Sequence, residues 1–218
     1  MSLFVTLAGN IGVGKTTAAR LIAEAFDLRT LQEPVVDNRF LAAYYNDMTR
    51  WSFTLQMEFL LRRIEHHRQV ELGENSFIQD RSLLEDPEIF AKYLHGLGHM
   101  TDSELDLYFD FCRMLIPTIR QPDRAILLTC QDVNVLLKRI STRGRQAESR
   151  IGASFLRGLG AYYSTFGEVC QRKYGIPTLI IDVAELDIRT PNGQSQFLER
   201  VEPFLFDDPH RYGSGRLF

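Results

Sequence analysis

The residues whose types and spacing could do chemistry fall in four places. Gly9-Asn10-Ile11-Gly12-Val13-Gly14-Lys15-Thr16 follows the pattern G-x-x-x-x-G-K-[ST], with Thr17 directly after it. Glycines at these positions let backbone N–H groups turn inward around an anion, and a helix starting there adds partial positive charge. Lys15 can then reach the outer phosphates of a triphosphate, and the Thr16 hydroxyl can ligand Mg²⁺. Glu33 stands just before Pro34 in "LQEPVV", where a carboxylate can accept a hydroxyl proton during attack on a phosphate. Asp80-Arg81 offers a second magnesium ligand and a cation to steady a moving phosphoryl group. Arg139 and Arg143 are four apart, with Arg145 just beyond, enough charge to cover a triphosphate as a mobile lid that excludes water.

These groups need elements to hold them. Five apolar runs read as strands: "LFVTLAG", "LRTLQEP" stopped by Pro34, "NSFIQD", "RAILLTC" and "PTLIIDV". Helical spacing fills the intervals. "KTTAARLIAEAF" has Leu21, Ile22 and Ala25 on one side, and "NRFLAAYYND" forms a short helix. "RWSFTLQMEFLLRRIEHHRQVELG" forms a long helix closed by Gly73. Further helices are expected at "PEIFAKYLHGLG", 102–120, 133–145, 153–175 and 195–206. Alternation of this kind implies an α/β fold with a parallel sheet covered on both faces. Glu33, Asp80 and the phosphate loop all follow strands directly, where open parallel sheets bind ligands. The expected organisation is one domain over 1–206, with a lid at about 139–150 and a frayed tail at 207–218.

Composition narrows the partners. The net charge of −3 leaves no basic field for nucleic acid or a membrane surface. Lysine occurs only at Lys15, Lys92, Lys138 and Lys173, so the basic residues are mostly arginine, the side chain suited to bidentate phosphate contacts. Cys112, Cys130 and Cys170 are too far apart for a zinc motif and read as reduced thiols. With no basic-then-apolar leader and no membrane-length apolar run, a cytoplasmic protein is expected. A GTPase switch is excluded by the lack of N-K-x-D and D-x-x-G segments. A small phosphotransferase with its own acceptor site remains. A nucleoside monophosphate kinase and a non-catalytic nucleotide-binding regulator stay open, although Glu33 suits a hydroxyl acceptor better than a phosphate.

Taken together, "GNIGVGKTT", "EPV", "RWSFTLQ", "DRSLLEDPEIF" and "RISTRGRQAE" resemble, in order and spacing, the deoxyribonucleoside kinases. The resemblance extends over most of the chain and implies the P-loop kinase fold, a five-stranded parallel sheet flanked by helices, and a homodimer. It implies transfer of the ATP γ-phosphate to the 5′-hydroxyl of a deoxynucleoside with Mg²⁺. By motif position Glu33 becomes the base, Arg81 holds the 5′-oxygen and the phosphate in transfer, and Tyr45 and Glu148 grip the sugar 3′-hydroxyl. Gln56 pairs with the base and Trp51 helps line its pocket. The spacing agrees in part: Gln56 and Arg63 are seven apart on the long helix, with Phe59 on the same face. In the family's deoxycytidine and deoxyguanosine kinases an Asp at the position of Asp86 pairs with an Arg at that of Arg63. Members that prefer thymidine lack the pair, which places thymidine last, and likeness to the bacterial "DRSLLEDPEIF" pattern places a purine deoxynucleoside first and deoxycytidine next. The chain departs from animal members at Asp80, where they carry Glu, and at Ala8 and Ala147, where acids are common.

Overall fold

The computed structural model describes residues 2–32, 38–145, 148, 150–184 and 186–206. Its five strands are β1 (Phe4–Gly9), β2 (Arg29–Leu31), β3 (Phe77–Asp80), β4 (Arg124–Thr129) and β5 (Thr178–Asp182). They form one sheet in the order β2-β3-β1-β4-β5, every pairing parallel. The register sets Leu7 beside Asp80 on one side and Ile126 on the other. The expected five-stranded α/β architecture is therefore present. Strand β2 is shorter than the apolar run suggested.

All six residues of β1 are buried, as expected of a central strand covered on both faces. Alternate side chains go to opposite layers. Val5 and Leu7 pack with helices α1 (Lys15–Phe26), α6 (Val133–Arg143) and α8 (Pro191–Phe206). Ala8, Ala125 and Leu127 pack against α7 (Ala153–Tyr174) on the other side. The buried stripe of α1 runs through Ala18, Ala19 and Ile22, and Ala25, expected inward, faces solvent.

A third cluster joins α2 (Leu41–Asn46), α3 (Met48–Leu72), α4 (Lys92–Gly96) and α5 (Asp102–Leu115). Asp47 caps α3 by accepting from Arg50 N at 3.0 Å. Helix α4 is preceded by a wide π-helical turn over Asp86–Ala91, where Pro87 brings no N–H. Helix α5, expected to run to 120, stops at Leu115 in a tight turn that contains Pro117. Among the described residues no helix is long and apolar enough to cross a membrane. The tail at 207–218 lies outside the described residues.

Candidate active site

The phosphate loop leaves β1 through a position that only glycine fits. Gly9 has φ +143, and a Cβ there would lie 2.5 Å from the Leu128 carbonyl oxygen. Gly12 is similarly confined: a Cβ would meet Leu136 O at 2.8 Å. Between them the Asn10 side chain fixes the turn, donating to Leu156 O at 2.8 Å and accepting from Ile11 N at 2.8 Å. Val13 is buried in the core. Helix α1 then starts after Gly14 with no side-chain cap and no acid in its first turn. The N–H groups that every helix leaves without intrahelical partners are thus kept for an anion. Lys15 lies along the loop, its Nζ donating to Gly9 O at 2.7 Å and Asn10 O at 3.0 Å.

The loop lines a cavity of about 640 Å³. Gly12, Gly14, Lys15, Thr16 and Thr17 contribute to its wall, as do Arg139, Arg143 and Arg145. Tyr45, Gln56, Phe59, Arg63, Asp86 and Glu148 line the same cavity, and so does Arg81. The cavity thus brings together most residues named from the sequence. Asp80 stands at the end of β3 and accepts from the Thr16 hydroxyl at 2.5 Å. That pair offers only hard oxygen donors, the set Mg²⁺ takes beside substrate phosphates. Glu33 lies outside the described residues.

Arg81 has φ +77, in the left-handed region. For a non-glycine residue this costs on the order of 1–3 kcal/mol and persists only where its surroundings dictate it. Its guanidinium lies over the Phe90 ring at 4.8 Å and donates from Nη1 to Glu85 Oε1 at 3.1 Å.

Also on the cavity wall, Arg63 Nη1 meets Asp86 Oδ2 at 2.5 Å, both side chains only 2% exposed. Burial raises the Asp86 carboxyl above its ordinary range, with Arg63 first and then Arg81 pulling it back. The Arg63 guanidinium also rests 4.9 Å from the Phe59 ring. Gln56 is 2% exposed, and its Oε1 has no hydrogen-bond partner among the described residues. Tyr45 packs edge-on against Tyr44, centroids 5.0 Å apart. Its carbonyl accepts from Arg150 Nη1 at 2.9 Å, which ties the segment carrying Glu148 to α2. Glu148 is buried and holds both Arg143 and Arg145.

Two named residues sit differently from expectation. Trp51 does not line the cavity; its ring stacks on Phe40 at 5.6 Å, with the Arg50 guanidinium 4.7 Å from it. Arg139 faces the cavity but is engaged by backbone, donating to Val13 O at 2.8 Å and Val183 O at 3.4 Å. The sequence reading passed over Leu55, Phe90, Phe155 and Ile188 on the walls, and Glu85 beneath Arg81. A signal for Glu85 was present: Ser82-Leu83-Leu84-Glu85 has capping-box spacing.

A family description, deoxynucleoside kinase, matches residues 5–205. The chain is 32% identical over 163 residues to the deoxyadenosine/deoxycytidine kinase of Bacillus subtilis (strain 168), covering 74% of this chain and 75% of the relative. It is 31% identical over 210 residues to the deoxyadenosine kinase of Dictyostelium discoideum, with coverage of 93% and 84%. The solved deoxyadenosine kinase from M. mycoides with bound dATP superposes with a TM-score of 0.79 at 28% identity, over 92% of this chain and 99% of that one. A phosphate loop, a strained arginine beside it and a buried Arg–Asp pair in one cavity agree with these likenesses: the chain belongs to the deoxynucleoside kinase family.

Proposed function

We propose that this deoxynucleoside kinase uses ATP with Mg²⁺ and acts on the 5′-hydroxyl of a purine deoxynucleoside first, deoxycytidine next and thymidine last. The observation that carries the reading is that one cavity is lined by the phosphate loop, by Gln56, Arg63 and Asp86, and by Arg81. Phosphoryl transfer is catalysed mainly by positioning and charge neutralisation, and this arrangement does both. The first turn of α1 and Lys15 hold the donor phosphates. Thr16 and Asp80 would hold magnesium, which when bound neutralises charge on the outer phosphate oxygens. Arg81 faces the phosphoryl group in transfer, and Arg143 and Arg145 close over it.

Glu33 takes the 5′-hydroxyl proton. Its place in the sequence, two residues beyond β2 and just before Pro34, supports this role. Glu148 and Tyr45 hold the 3′-hydroxyl. At the base, Gln56 supplies an acceptor with no partner among the described residues, Asp86 supplies acceptors and Arg63 donors. Such a set reads an exocyclic amino group with the ring acceptor beside it, and thymine has no amino group. The deoxyadenosine and deoxyadenosine/deoxycytidine activities named for the relatives support the same order.

The enzyme acts as a cytoplasmic homodimer. Leu107, Phe111 and Met114 form an exposed apolar stripe along α5, and Leu61 is half exposed on α3, which packs beside it. A second copy of this face covers both. The three cysteines are free thiols, which suits a reducing compartment.

Measured kcat/KM for all four deoxynucleosides tests the substrate, and thymidine as the best of them would overturn it. Glu33→Gln tests the chemistry. A kcat reduced on the order of 10²-fold or more, with smaller change in nucleoside affinity, is expected on loss of the base.

A further inference from the structure

Glu85 is fully buried and does not line the cavity. Part of its environment is ordinary. Its Oε2 accepts from Ser82 N at 2.7 Å, while Ser82 Oγ accepts from Leu84 N at 3.1 Å, a reciprocal cap of the turn just before the π-helical segment. A cap of that kind uses one oxygen and normally sits at the surface.

The other oxygen does something a cap does not require. Oε1 accepts from Gly9 N at 3.1 Å, where the phosphate loop leaves β1. It accepts from Arg81 Nη1 at 3.1 Å and from the Tyr163 hydroxyl, on α7, at 2.5 Å. Arg81 Nη1 also donates to the Tyr163 oxygen at 3.0 Å, which closes a triangle of Arg81, Glu85 and Tyr163. One carboxylate therefore joins three elements: the loop that carries phosphates, the arginine with the strained backbone, and the helix that follows the Glu148 segment. Burial first, and the Glu85 charge next, keep the Tyr163 phenol protonated, so it acts as a donor.

The left-handed backbone at Arg81 needs such an anchor. A flexible arginine would otherwise relax its backbone and carry the guanidinium off the cavity wall. Glu85 acts on both halves of the residue: through Ser82 N it fixes the chain just after Arg81, and through Nη1 it fixes the end of the side chain. Its bond to Gly9 N sets that end at a constant distance from the phosphate loop.

We propose that Glu85 is a positioning residue for phosphoryl transfer, holding Arg81 in register with the phosphate loop, and that Tyr163 completes this hold. The inference rests on the reading of Arg81 as the cation at the transferring group. Glu85 touches no substrate and acts through Arg81.

Three variants of the full chain decide it, each assayed for kcat, KM for deoxynucleoside and ATP, and Tm. Tyr163→Phe removes one donor and keeps the ring against Phe166. Its kcat should fall on the order of tenfold, with both KM values within about twofold of wild type and Tm little changed. Glu85→Gln, which sets an amide against donors, should lose on the order of a hundredfold in kcat. In an Arg81→Lys background, which lacks the forked guanidinium, Tyr163→Phe should cost no more than about twofold further, because its effect is routed through Arg81. A tenfold loss that persists in full in that background would overturn the proposal, as would wild-type kcat in Tyr163→Phe. If Glu85→Gln does not fold, the Tyr163→Phe and Arg81→Lys cycle decides alone. Wild-type kcat in Arg81→Lys by itself would remove the reading of Arg81, a failure distinct from that of the coupling.

Discussion

Gln56→Met separates what the protein needs to fold from what it needs to read a base. Gln56 lies on α3, 2% exposed, with Oε1 unpaired among the described residues. A buried amide oxygen without a partner costs about 1–3 kcal/mol. Methionine has nearly the same length and volume and no polar atom to desolvate. Allowing for imperfect packing, the variant should be about 1–2 kcal/mol more stable without nucleoside. At about 2–4 °C per kcal/mol for a chain of this size, Tm should rise by roughly 2–8 °C. Catalysis should move the other way. Loss of two hydrogen bonds to the base, at about 1 to 1.5 kcal/mol each, lowers kcat/KM by roughly 30- to 150-fold. Thermal unfolding of the unliganded protein and steady-state kinetics with each deoxynucleoside give the two numbers. A lower Tm, or kcat/KM within about threefold of wild type, would refute the assignment of Gln56 as a group held ready for ligand.

Three further outcomes follow from the same geometry. Arg143→Ala removes a partly exposed ion pair with Glu148, so it should cost at most about 1 kcal/mol of stability while slowing transfer; a variant that does not fold would make Arg143 structural. The 2′,3′-dideoxynucleosides should be poor substrates, because the hydrogen bonds from Glu148 and Tyr45 to the 3′-hydroxyl are lost; equal kcat/KM for deoxy and dideoxy forms would contradict this. Burial, with Arg63, His67 and Arg62 adding to it, lowers the His66 pKa from 6.5 to about 4. The folded state therefore binds this proton less readily than the unfolded chain. His66 contributes stability that is present above pH 6.5 and is lost as pH falls toward 4. Urea midpoints should decline over that window, less steeply in His66→Gln, and parallel curves for the two proteins would remove His66 as the cause.

Parts of this site could be read in the sequence because their chemistry is local. The phosphate loop, Lys15 and Thr16 are contiguous, and the strand–loop–helix context needs no distant partner. Gln56, Phe59 and Arg63 could be placed together because a helix repeats its faces. Asp86 joined them only through likeness to a family, since nothing local says which helix it meets. Trp51 shows the limit of such likeness: it lies one turn from Leu55 on the same helix, but its indole turns to Phe40. Arg139 was counted with its neighbours by spacing alone, and its hold on Val13 O depends on how α6 packs over the loop. Glu85 is the clearest case. Its capping spacing was visible, but its partners Gly9 and Tyr163 are 76 and 78 residues away, and only the assembled fold brings them to one carboxylate.

The position of β1 also bears on how the chain is made. Of the five strands, the earliest in the chain becomes the middle of the sheet, and both its neighbours come much later. Leu3 N reaches Ser76 Oγ across 73 residues, and Phe4 N reaches Asp123 across 119. At roughly 5–20 residues per second of synthesis, β1 waits about 6–24 s for its second flank. During that time Phe4, Val5 and Leu7, all wholly buried in the finished protein, have no sheet to enter. Contacts of such long range make parallel sheets slow to close and leave apolar segments open to aggregation. The strand that launches the phosphate loop is thus left uncovered on the nascent chain, and the catalytic end of the molecule cannot form until β4 has emerged.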